Sequence, residues 1–426
     1  MVFVRNAFKN TFLFLFIIFI SCVSGIKTTL PPSSVKIENS ISTAYIAQDT
    51  TKIQESIVVG ANLTDDYIPI LENKKVAIVG NQTSVIFKDS ITNQNYVHLV
   101  DSLLSRNIKI QKVFAPEHGF RGKADAGELV ADSKDIKTGL PIFSLHGKNK
   151  KPSKEALSNI DIVVFDIQDV GVRFYTYIST LHYVMQACAE NNIPVLILDR
   201  PNPNAHYIDG PTLEPEHSSF LGVHPIPLVH GMTIGEYAKM INGEGWLGKD
   251  LTCEINIIPV KNYSHTASYS LPIRPSPNLP NDKAINLYPS LGFFEGTSIN
   301  AGRGTETQFQ IFGSPDLIIE KYDYAYIPRP NFGSKYPKHR GEVCYGKDLR
   351  KSESLDSINL EWLINAYNHT KVKEKFFNTK SFTIHAGTKK LQQQIEQGLS
   401  FQEIKNTWIE GLEKFKVKRA QYLIYQ

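Results

Sequence analysis

Two stretches decide the fold: Ile162-Val163-Val164-Phe165 and Val195-Leu196-Ile197-Leu198. Both are uninterrupted apolar runs, as expected of strands that are covered on both faces of a sheet. Between them, residues 179–191 carry apolar side chains at helical spacing, so a helix is predicted there. A strand, a helix and a second strand in this order indicate a βαβ unit with parallel strands.

The same alternation extends in both directions, and it predicts an α/β fold. Further strands are expected at 75–79 and 108–114, and a helix is expected to begin at Thr233 and to close a capping box with Glu236. Residues 57–260 are therefore predicted to form a Rossmann-like domain, in which helices flank a mainly parallel sheet.

The remaining residues, 261–426, are predicted to form a smaller α+β domain that packs against the first and closes a cleft between the two. Residues 271–289 are rich in Pro and Asn and are expected to form an irregular loop. The elements predicted beyond that loop are helices at 361–368, 389–398 and 401–415, and a closing strand at 421–425.

Composition excludes several classes of function. The 426 residues are 42% hydrophobic and 21% charged, with a net charge of +4, and no basic block is interleaved with aromatic residues. Nucleic acid is therefore not an expected partner. The loop Gly80-Asn81-Gln82-Thr83 lacks a dinucleotide-binding glycine pattern, and no phosphate-binding loop follows any strand, so no cofactor is expected. Composition does not decide the oligomeric state.

The first 25 residues have the layout of a secretory signal peptide. Two basic residues precede the apolar run 11–20, and small residues follow it. Phe19-Ile20-Ser21-Cys22 resembles a lipobox, which predicts lipidation at Cys22; the alternative is plain cleavage nearby. Residues 26–56 are rich in Ser, Thr and Pro and are predicted to be a flexible linker. The expected product is exported, as a periplasmic protein or a membrane-anchored lipoprotein whose membrane contact is the lipid.

Each predicted strand of the first domain is followed by a polar loop. The carboxyl ends of parallel strands lie at one edge of a sheet, so these loops are expected to converge on a crevice. The four loops are 80–84, 116–119, 168–173 and 199–204.

The loop Pro116-Glu117-His118-Gly119 places a carboxylate beside an imidazole at a strand end. A carboxyl group held in a cleft is suited to proton transfer, so Glu117 is the leading candidate for a general acid or base. The structural alternative is that Glu117 caps nearby backbone and that His118 packs against Phe120.

The loop 168–173 adds an acid and a cation. Strand alternation puts Asp166 and Asp169 on opposite sides, and we favour Asp169 for the cleft because it lies beyond the apolar run. Arg173 and Tyr175 offer a guanidinium and an aromatic face, which suit a sugar that bears an anionic group. The alternatives are a helix cap for Asp169 and an ion pair that holds the loop for Arg173.

Two further loops and one histidine complete the set of candidate substrate-binding residues. Prolines stiffen the turn after the fourth strand, and glycines flank the last cluster and allow close approach to a ligand. Each group also has a structural interpretation as a tight turn or a buried histidine. The residues are Asp199, Arg200, Asn202, His230, Glu295 and Arg303. No zinc-binding spacing occurs, so no metal is expected, and no nucleophile elbow indicates a serine esterase.

Taken together, six motifs in order resemble the bacterial exo-β-N-acetylmuramidases, the NamZ-like family of glycoside hydrolases once described as a domain of unknown function. The resemblance covers about residues 57–426. The motifs are Ala115-Pro116-Glu117-His118-Gly119-Phe120-Arg121-Gly122, Asp166 to Tyr177, Asp199-Arg200-Pro201-Asn202-Pro203, His230 to Glu236, Ser276-Pro277-Asn278 and Gly302-Arg303-Gly304-Thr305.

The resemblance implies an exo-acting hydrolase that releases N-acetylmuramic acid from the non-reducing end of peptidoglycan fragments, in cell-wall turnover and recycling. Under it, Glu117 acts as general acid, Asp169 as its partner and His118 as a positioning or substrate-contacting neighbour. Arg173 or Arg303 binds the lactyl carboxylate, and Asn278 contacts the substrate. Two alternatives stay open: a muropeptide-binding surface protein without activity, and a metal-dependent deacetylase or esterase.

Overall fold

The computed structural model describes residues 55–89, 94–122 and 132–426. The predicted signal peptide, Cys22 and the linker as far as residue 54 lie outside the described residues. All the described residues belong to one compact unit, so the domain boundary expected at 260/261 stays a prediction. In the described part of the chain, no helix is both long and apolar enough to cross a bilayer.

A seven-stranded sheet organises the fold, and two small antiparallel sheets accompany it. Twelve strands occur within the described ranges. They are β1 (Lys75–Gly80), β2 (Val85–Phe87), β3 (Tyr96–His98), β4 (Lys109–Ala115), β5 (Ser133–Lys134), β6 (Pro141–Ser144), β7 (Ile162–Asp166), β8 (Val195–Leu198), β9 (Ile255–Ile258), β10 (Ile311–Ser314), β11 (Tyr324–Tyr326) and β12 (Cys344–Asp348).

The order of the large sheet is β5-β6-β4-β1-β7-β8-β9, and every pairing is parallel except that of β5 with β6. The predicted α/β fold with a mainly parallel sheet is confirmed. The four strands that carry the polar loops, β4, β1, β7 and β8, are consecutive in this order, so their carboxyl ends share one edge.

Burial explains why the two apolar stretches form central strands. Alternate residues of β7 face opposite sides, so that Val163 and Phe165 enter one core while Ile162 and Val164 enter another. All four side chains are fully buried. A strand that contributes to a core on each face needs apolar residues at every position, which is the pattern of the sequence.

Ten α-helices are present in the described ranges. They are α1 (Thr64–Leu71), α2 (Leu99–Ser105), α3 (Tyr177–Glu190), α4 (Ile234–Gly243), α5 (Asp282–Leu291), α6 (Glu361–Asn368), α7 (Thr379–Ala386), α8 (Lys390–Glu396), α9 (Phe401–Asn406) and α10 (Ile409–Ala420). Helix α3 crosses between β7 and β8 as predicted, and α4 begins with the predicted capping box of Thr233 and Glu236.

The second half contains the antiparallel sheet β10-β12-β11 and helices α5 to α10, which matches the predicted smaller α+β part. Three local predictions were wrong. The expected loop 271–289 includes most of α5, because Asn281 caps that helix by accepting from the amide of Ala284. The expected helix 401–415 is two helices, and 421–425 is irregular rather than a strand.

Candidate active site

Glu117 and His118 lie on the loop that follows β4, at the carboxyl edge of the sheet. His118 has a φ of 71° and Gly119 a φ of 75°, so two successive residues adopt the left-handed conformation. For a residue other than glycine this conformation is uncommon and is often found at functional sites. The turn presents Glu117 to the hydroxyl of Thr176, which donates to Oε2 at 3.0 Å.

A cavity of about 250 Å³ lies beside this loop. Sites for drug-sized ligands span roughly 300–1,000 Å³, so a cavity of this size suits a single sugar unit. Residues from both halves of the chain line it. They are Glu117, His118, His146, Phe174, Tyr175, Thr176, Tyr177, Phe220, Leu221, Ser276, Asn278, Leu279, Tyr288, Glu295, Arg303, Phe309 and His385.

Glu295 and Arg303 form an ion pair in the cavity wall. Nε of Arg303 donates to Oε1 of Glu295 at 3.0 Å, and the guanidinium lies 5.1 Å from the centre of the Phe309 ring. Burial alone would raise the pKa of Glu295, but Arg303 and then Lys338 offset this and lower it to about 2. Glu295 is therefore ionised at working pH and cannot donate a proton.

The sequence also placed Tyr175 and Asn278 at the site, and both line the cavity. The hydroxyl of Tyr175 donates to the carbonyl of Pro275 at 2.7 Å, which holds the ring in place. The Asn278 side chain donates to the carbonyl of Gly333 at 2.7 Å, while its Oδ1 is buried and has no partner within residues 55–89, 94–122 and 132–426. An unsatisfied buried acceptor in a cavity wall is suited to a hydroxyl or amide of a ligand.

Asp169 lies outside the cavity lining. Its Oδ2 accepts from the amide of Gly171 at 2.6 Å, and its Oδ1 is buried with no partner in the part of the chain that the structure describes. Burial raises the pKa of Asp169 to about 7, against the lowering effect of the amides of Gly171 and Val170. The carboxylate that shares the cavity with Glu117 is therefore Glu295, which corrects the expected orientation of Asp169 toward the cleft.

His230 is fully buried beside Asp169 and also lies outside the cavity lining. Its Nε2 is 3.8 Å from Oδ2 of Asp169, too far for a hydrogen bond, and this nitrogen has no hydrogen-bond partner among the described residues. Its Nδ1 accepts from the amide of Met232 at 3.3 Å. Burial, followed by the charges of Arg419 and Arg173, lowers the pKa of His230 to about 3. His230 is therefore neutral near pH 7.

Arg173 does not face the cavity, contrary to the expected role as a ligand for a carboxylate. Its side chain is fully buried. Nη1 donates to the carbonyls of Pro211 and Ile226 at 2.7 and 2.9 Å, and Nη2 to those of Ala386 and His385 at 2.7 and 3.2 Å. The guanidinium joins three backbone segments, and Arg303 is the arginine that lines the cavity.

The turn after β8 is a buried structural network and not part of the cavity lining, which corrects the predicted substrate-binding role of its residues. Asp199 accepts from the hydroxyls of Thr233 and Tyr425, each at 2.7 Å. Arg200 pairs with Asp166 through Nε at 2.6 Å. Asn202 donates to the carbonyl of Met232 at 3.0 Å. Each polar atom of this kind needs a partner when it is buried, and here the partners are protein groups.

Comparison with known proteins identifies the family of this chain. Residues 76–283 match the family described as exo-beta-N-acetylmuramidase NamZ, N-terminal, and residues 286–425 match the C-terminal part of the same family. The chain belongs to the NamZ family.

Relatives of known sequence or structure cover most of the chain. Peptidoglycan beta-N-acetylmuramidase NamZ of Bacillus subtilis (strain 168) is 38% identical over 382 residues, which is 85% of this chain and 90% of that protein. Two crystal structures of DUF1343 family proteins from Bacteroides fragilis NCTC 9343 share the fold. One has a TM-score of 0.79 with 44% identity and the other 0.75 with 26% identity, and each comparison covers 87% of this chain and 99% of the other.

Sequence reasoning missed several residues of this NamZ-family cavity. Thr176 and Phe174 line the cavity and lie within the motif Asp166 to Tyr177, which is the sequence signal that could have identified them. Tyr288 and His385 gave no local signal, because they stand on α5 and α7 and reach the cavity only through tertiary packing.

Proposed function

We propose that this protein is an exo-acting glycoside hydrolase that releases N-acetylmuramic acid from the non-reducing end of peptidoglycan fragments. The observation that carries the proposal is the one-sugar cavity, which contains Glu117 and the Glu295–Arg303 ion pair. The family membership and the named activity of the Bacillus subtilis relative support it.

In the proposed mechanism, Glu117 protonates the glycosidic oxygen as the bond to the leaving sugar breaks. Thr176 orients the carboxyl group through its hydroxyl. Glu295 is the ionised carboxylate that either deprotonates the attacking water or stabilises the positive charge of the oxocarbenium-like transition state. This assignment replaces Asp169, which is buried and does not line the cavity.

Arg303 is the proposed ligand of the lactyl carboxylate. Among the described residues, the one hydrogen bond of its side chain uses Nε, which leaves the Nη atoms for a ligand. Arg303 and Lys338 together carry two positive charges near the single negative charge of Glu295. The proposed mechanism requires Glu117 to carry a proton before the bond breaks. In that state the surplus positive charge favours an anionic sugar over a neutral one.

The experiment that tests the function is digestion of the disaccharide in which N-acetylmuramic acid is β-linked to N-acetylglucosamine. Free N-acetylmuramic acid is the expected product, and NMR of the nascent anomer distinguishes retention from inversion. Carboxyl separations of about 5 Å and about 6.5–9.5 Å correspond to these two outcomes. Binding without cleavage would indicate a muropeptide-binding protein. Activity that a chelator abolishes would indicate the metal-dependent deacetylase or esterase.

We also propose that the protein is exported and attached to a membrane through lipid on Cys22, as the N-terminal sequence pattern suggests. Labelling of bacterial cells with an alkyne fatty acid is expected to mark the wild-type protein but not Cys22→Ser. An unlabelled wild-type protein in the periplasmic fraction would indicate cleavage without lipidation.

A further inference from the structure

The segment 331–339, which we call the rim segment, packs against the cavity wall. It begins with a tight turn in which the backbones of Asn331 and Ser334 are bonded to each other in both directions at 3.1 Å. Phe332 and Gly333 occupy the tip, and Gly333 has a φ of 96°, which favours glycine at this turn position. The turn therefore presents the Phe332 side chain in a defined place.

Two hydrogen bonds attach the beginning of the rim segment to the residues around the cavity, and a third attaches Arg329, two residues before it. The side chain of Asn278, a lining residue, donates to the carbonyl of Gly333 at 2.7 Å. The side chain of Asn331 donates to the carbonyl of Thr305 at 2.9 Å, and the amide of Arg329 donates to the carbonyl of Gly304 at 2.8 Å. Gly304 and Thr305 directly follow Arg303, so this end is fixed beside the proposed carboxylate ligand.

The end of the rim segment is bound to the backbone around Glu295 through Lys338. Nζ of Lys338 lies 2.8 Å from the carbonyl oxygens of Phe294 and Thr297, and 3.2 Å from those of Glu295 and Ile299. This ammonium has four carbonyl neighbours and only three protons, so it is held from several directions. Both ends of the segment are thus joined to the backbone that carries the site.

Between these anchors, two aromatic side chains face solvent. Phe332 is 60% exposed and Tyr336 is 86% exposed, whereas Gly333 and Pro337 are buried. A segment whose backbone touches the cavity wall and whose side chains are in solvent marks the edge of the cavity. Single exposed aromatics are ordinary, but two on one doubly anchored segment at such an edge form a potential binding surface.

The size of the cavity determines where the neighbouring sugar of the substrate lies. A site that holds one sugar leaves the sugar on the other side of the scissile bond outside the cavity. We propose that Phe332 and Tyr336 form the subsite for that leaving sugar, by packing their rings against its apolar face. The inference rests on the proposed function and extends it from the released sugar to its neighbour. Aromatic side chains provide large contact areas at low entropic cost, which suits an open subsite.

The test compares two ligands that differ only in the leaving sugar. The disaccharide occupies both the cavity and the rim, whereas free N-acetylmuramic acid occupies the cavity alone. For Phe332→Ala, the ratio of KM for the disaccharide to the inhibition constant of the monosaccharide is expected to rise about tenfold, equivalent to about 1.4 kcal/mol. Tyr336→Ala should also raise the ratio. Phe332→Tyr, which keeps the ring, should have the wild-type ratio.

Tyr96→Ala, which removes an exposed tyrosine of β3 outside the cavity lining, is the control and should leave the ratio unchanged. Parallel rises of both constants in Phe332→Ala would show that the segment only supports the cavity, and no change in either would also overturn the subsite. Failure of the proposed function is a different result, because then the wild-type protein releases no monosaccharide from the disaccharide.

Discussion

Thr176 donates from its hydroxyl to Oε2 of Glu117 at 3.0 Å, and this bond joins two loops that β1 separates in the sheet. Glu117 follows β4, and Thr176 immediately precedes α3, which follows β7. The proposed acid is therefore oriented from across the sheet edge. The site depends on the parallel order of the strands and not on the local sequence around Glu117 alone.

Replacement of Glu117 by Gln should abolish proton donation while keeping the shape of the side chain. We expect kcat for the muramic acid disaccharide to fall roughly a hundredfold or more, with the stability unchanged. Thr176→Val, which removes only the orienting hydroxyl, should cause a smaller loss. The exposed Glu155→Gln serves as a control, and turnover of Glu117→Gln near the wild-type rate would reject the assignment.

Arg303→Lys should weaken recognition of the lactyl carboxylate, because an ammonium replaces the bidentate fork of the guanidinium. The measurement is inhibition by free N-acetylmuramic acid and by N-acetylglucosamine, which lacks the lactyl group. We expect the inhibition constant to rise about tenfold or more for the former, with a much smaller change for the latter. Equal weakening of both would assign Arg303 to the support of Glu295 instead.

The matched control for this prediction is the buried arginine. Arg173→Met leaves four carbonyl oxygens without their donor, so it should reduce the free energy of unfolding by roughly 2–4 kcal/mol, as urea denaturation would measure. The preference for muramic acid over N-acetylglucosamine should persist in the folded fraction. A selective loss of muramic acid binding in this variant would return the carboxylate role to Arg173.

These two arginines also show where prediction from sequence succeeds and fails. The apolar runs 162–165 and 195–198 place the central strands correctly, because a strand buried on both faces admits only one kind of pattern. Arg173 and Arg303 each lie within two residues after a glycine in a polar loop, and local pattern alone does not separate them. The difference lies in three distant backbone segments that converge on Arg173, which is a property of tertiary packing.

The same limit explains the turn after β8 and the far wall of the cavity. Asp199 was expected at the crevice, but Tyr425, more than two hundred residues later, satisfies it inside the protein. Tyr288 enters the cavity from α5, a helix that the density of Pro and Asn concealed. By contrast, Glu117 was placed correctly, because a strand followed by Pro puts the next residues in an edge loop.

Asp169 should make the stability of the protein depend on pH. Its pKa is raised by burial from about 4 in the unfolded chain to about 7 in the folded protein, so the folded state binds more protons between these values. Stability from this group is therefore full below about pH 4 and is lost as the pH rises toward 7. Asp169→Asn should remove this pH-dependent loss of stability, which is on the order of a few kcal/mol in the free energy of unfolding.

Urea denaturation of the wild type and Asp169→Asn at pH 5 and pH 8 measures this difference. The variant is expected to gain stability relative to the wild type as the pH rises. Asp161→Asn, at an exposed position, should follow the wild type at both values. A difference between Asp169→Asn and the wild type that does not change with pH would show that Asp169 is ionised throughout the range.

Lys338→Met should affect both the position and the charge of Glu295. The variant keeps the length of the side chain and removes the ammonium that contacts four carbonyls of the segment 294–299. Glu295 also loses one of the groups whose charge lowers its pKa, while Arg303 and His385 remain. The pKa of Glu295 should therefore rise. As the pH is lowered, activity that requires ionised Glu295 should begin to fall at a higher pH in the variant than in the wild type.

The measurement is the pH profile of kcat, in which the acidic limb of Lys338→Met is expected to move toward neutral pH. A purely structural loss would lower kcat at every pH and leave the limb in place. The exposed Lys371→Met controls for the loss of one surface charge and should keep the wild-type profile. Because Arg303 remains in the variant, the shift should be smaller than that of Arg303→Met, so the order of the two shifts tests whether both cations act on the same carboxylate.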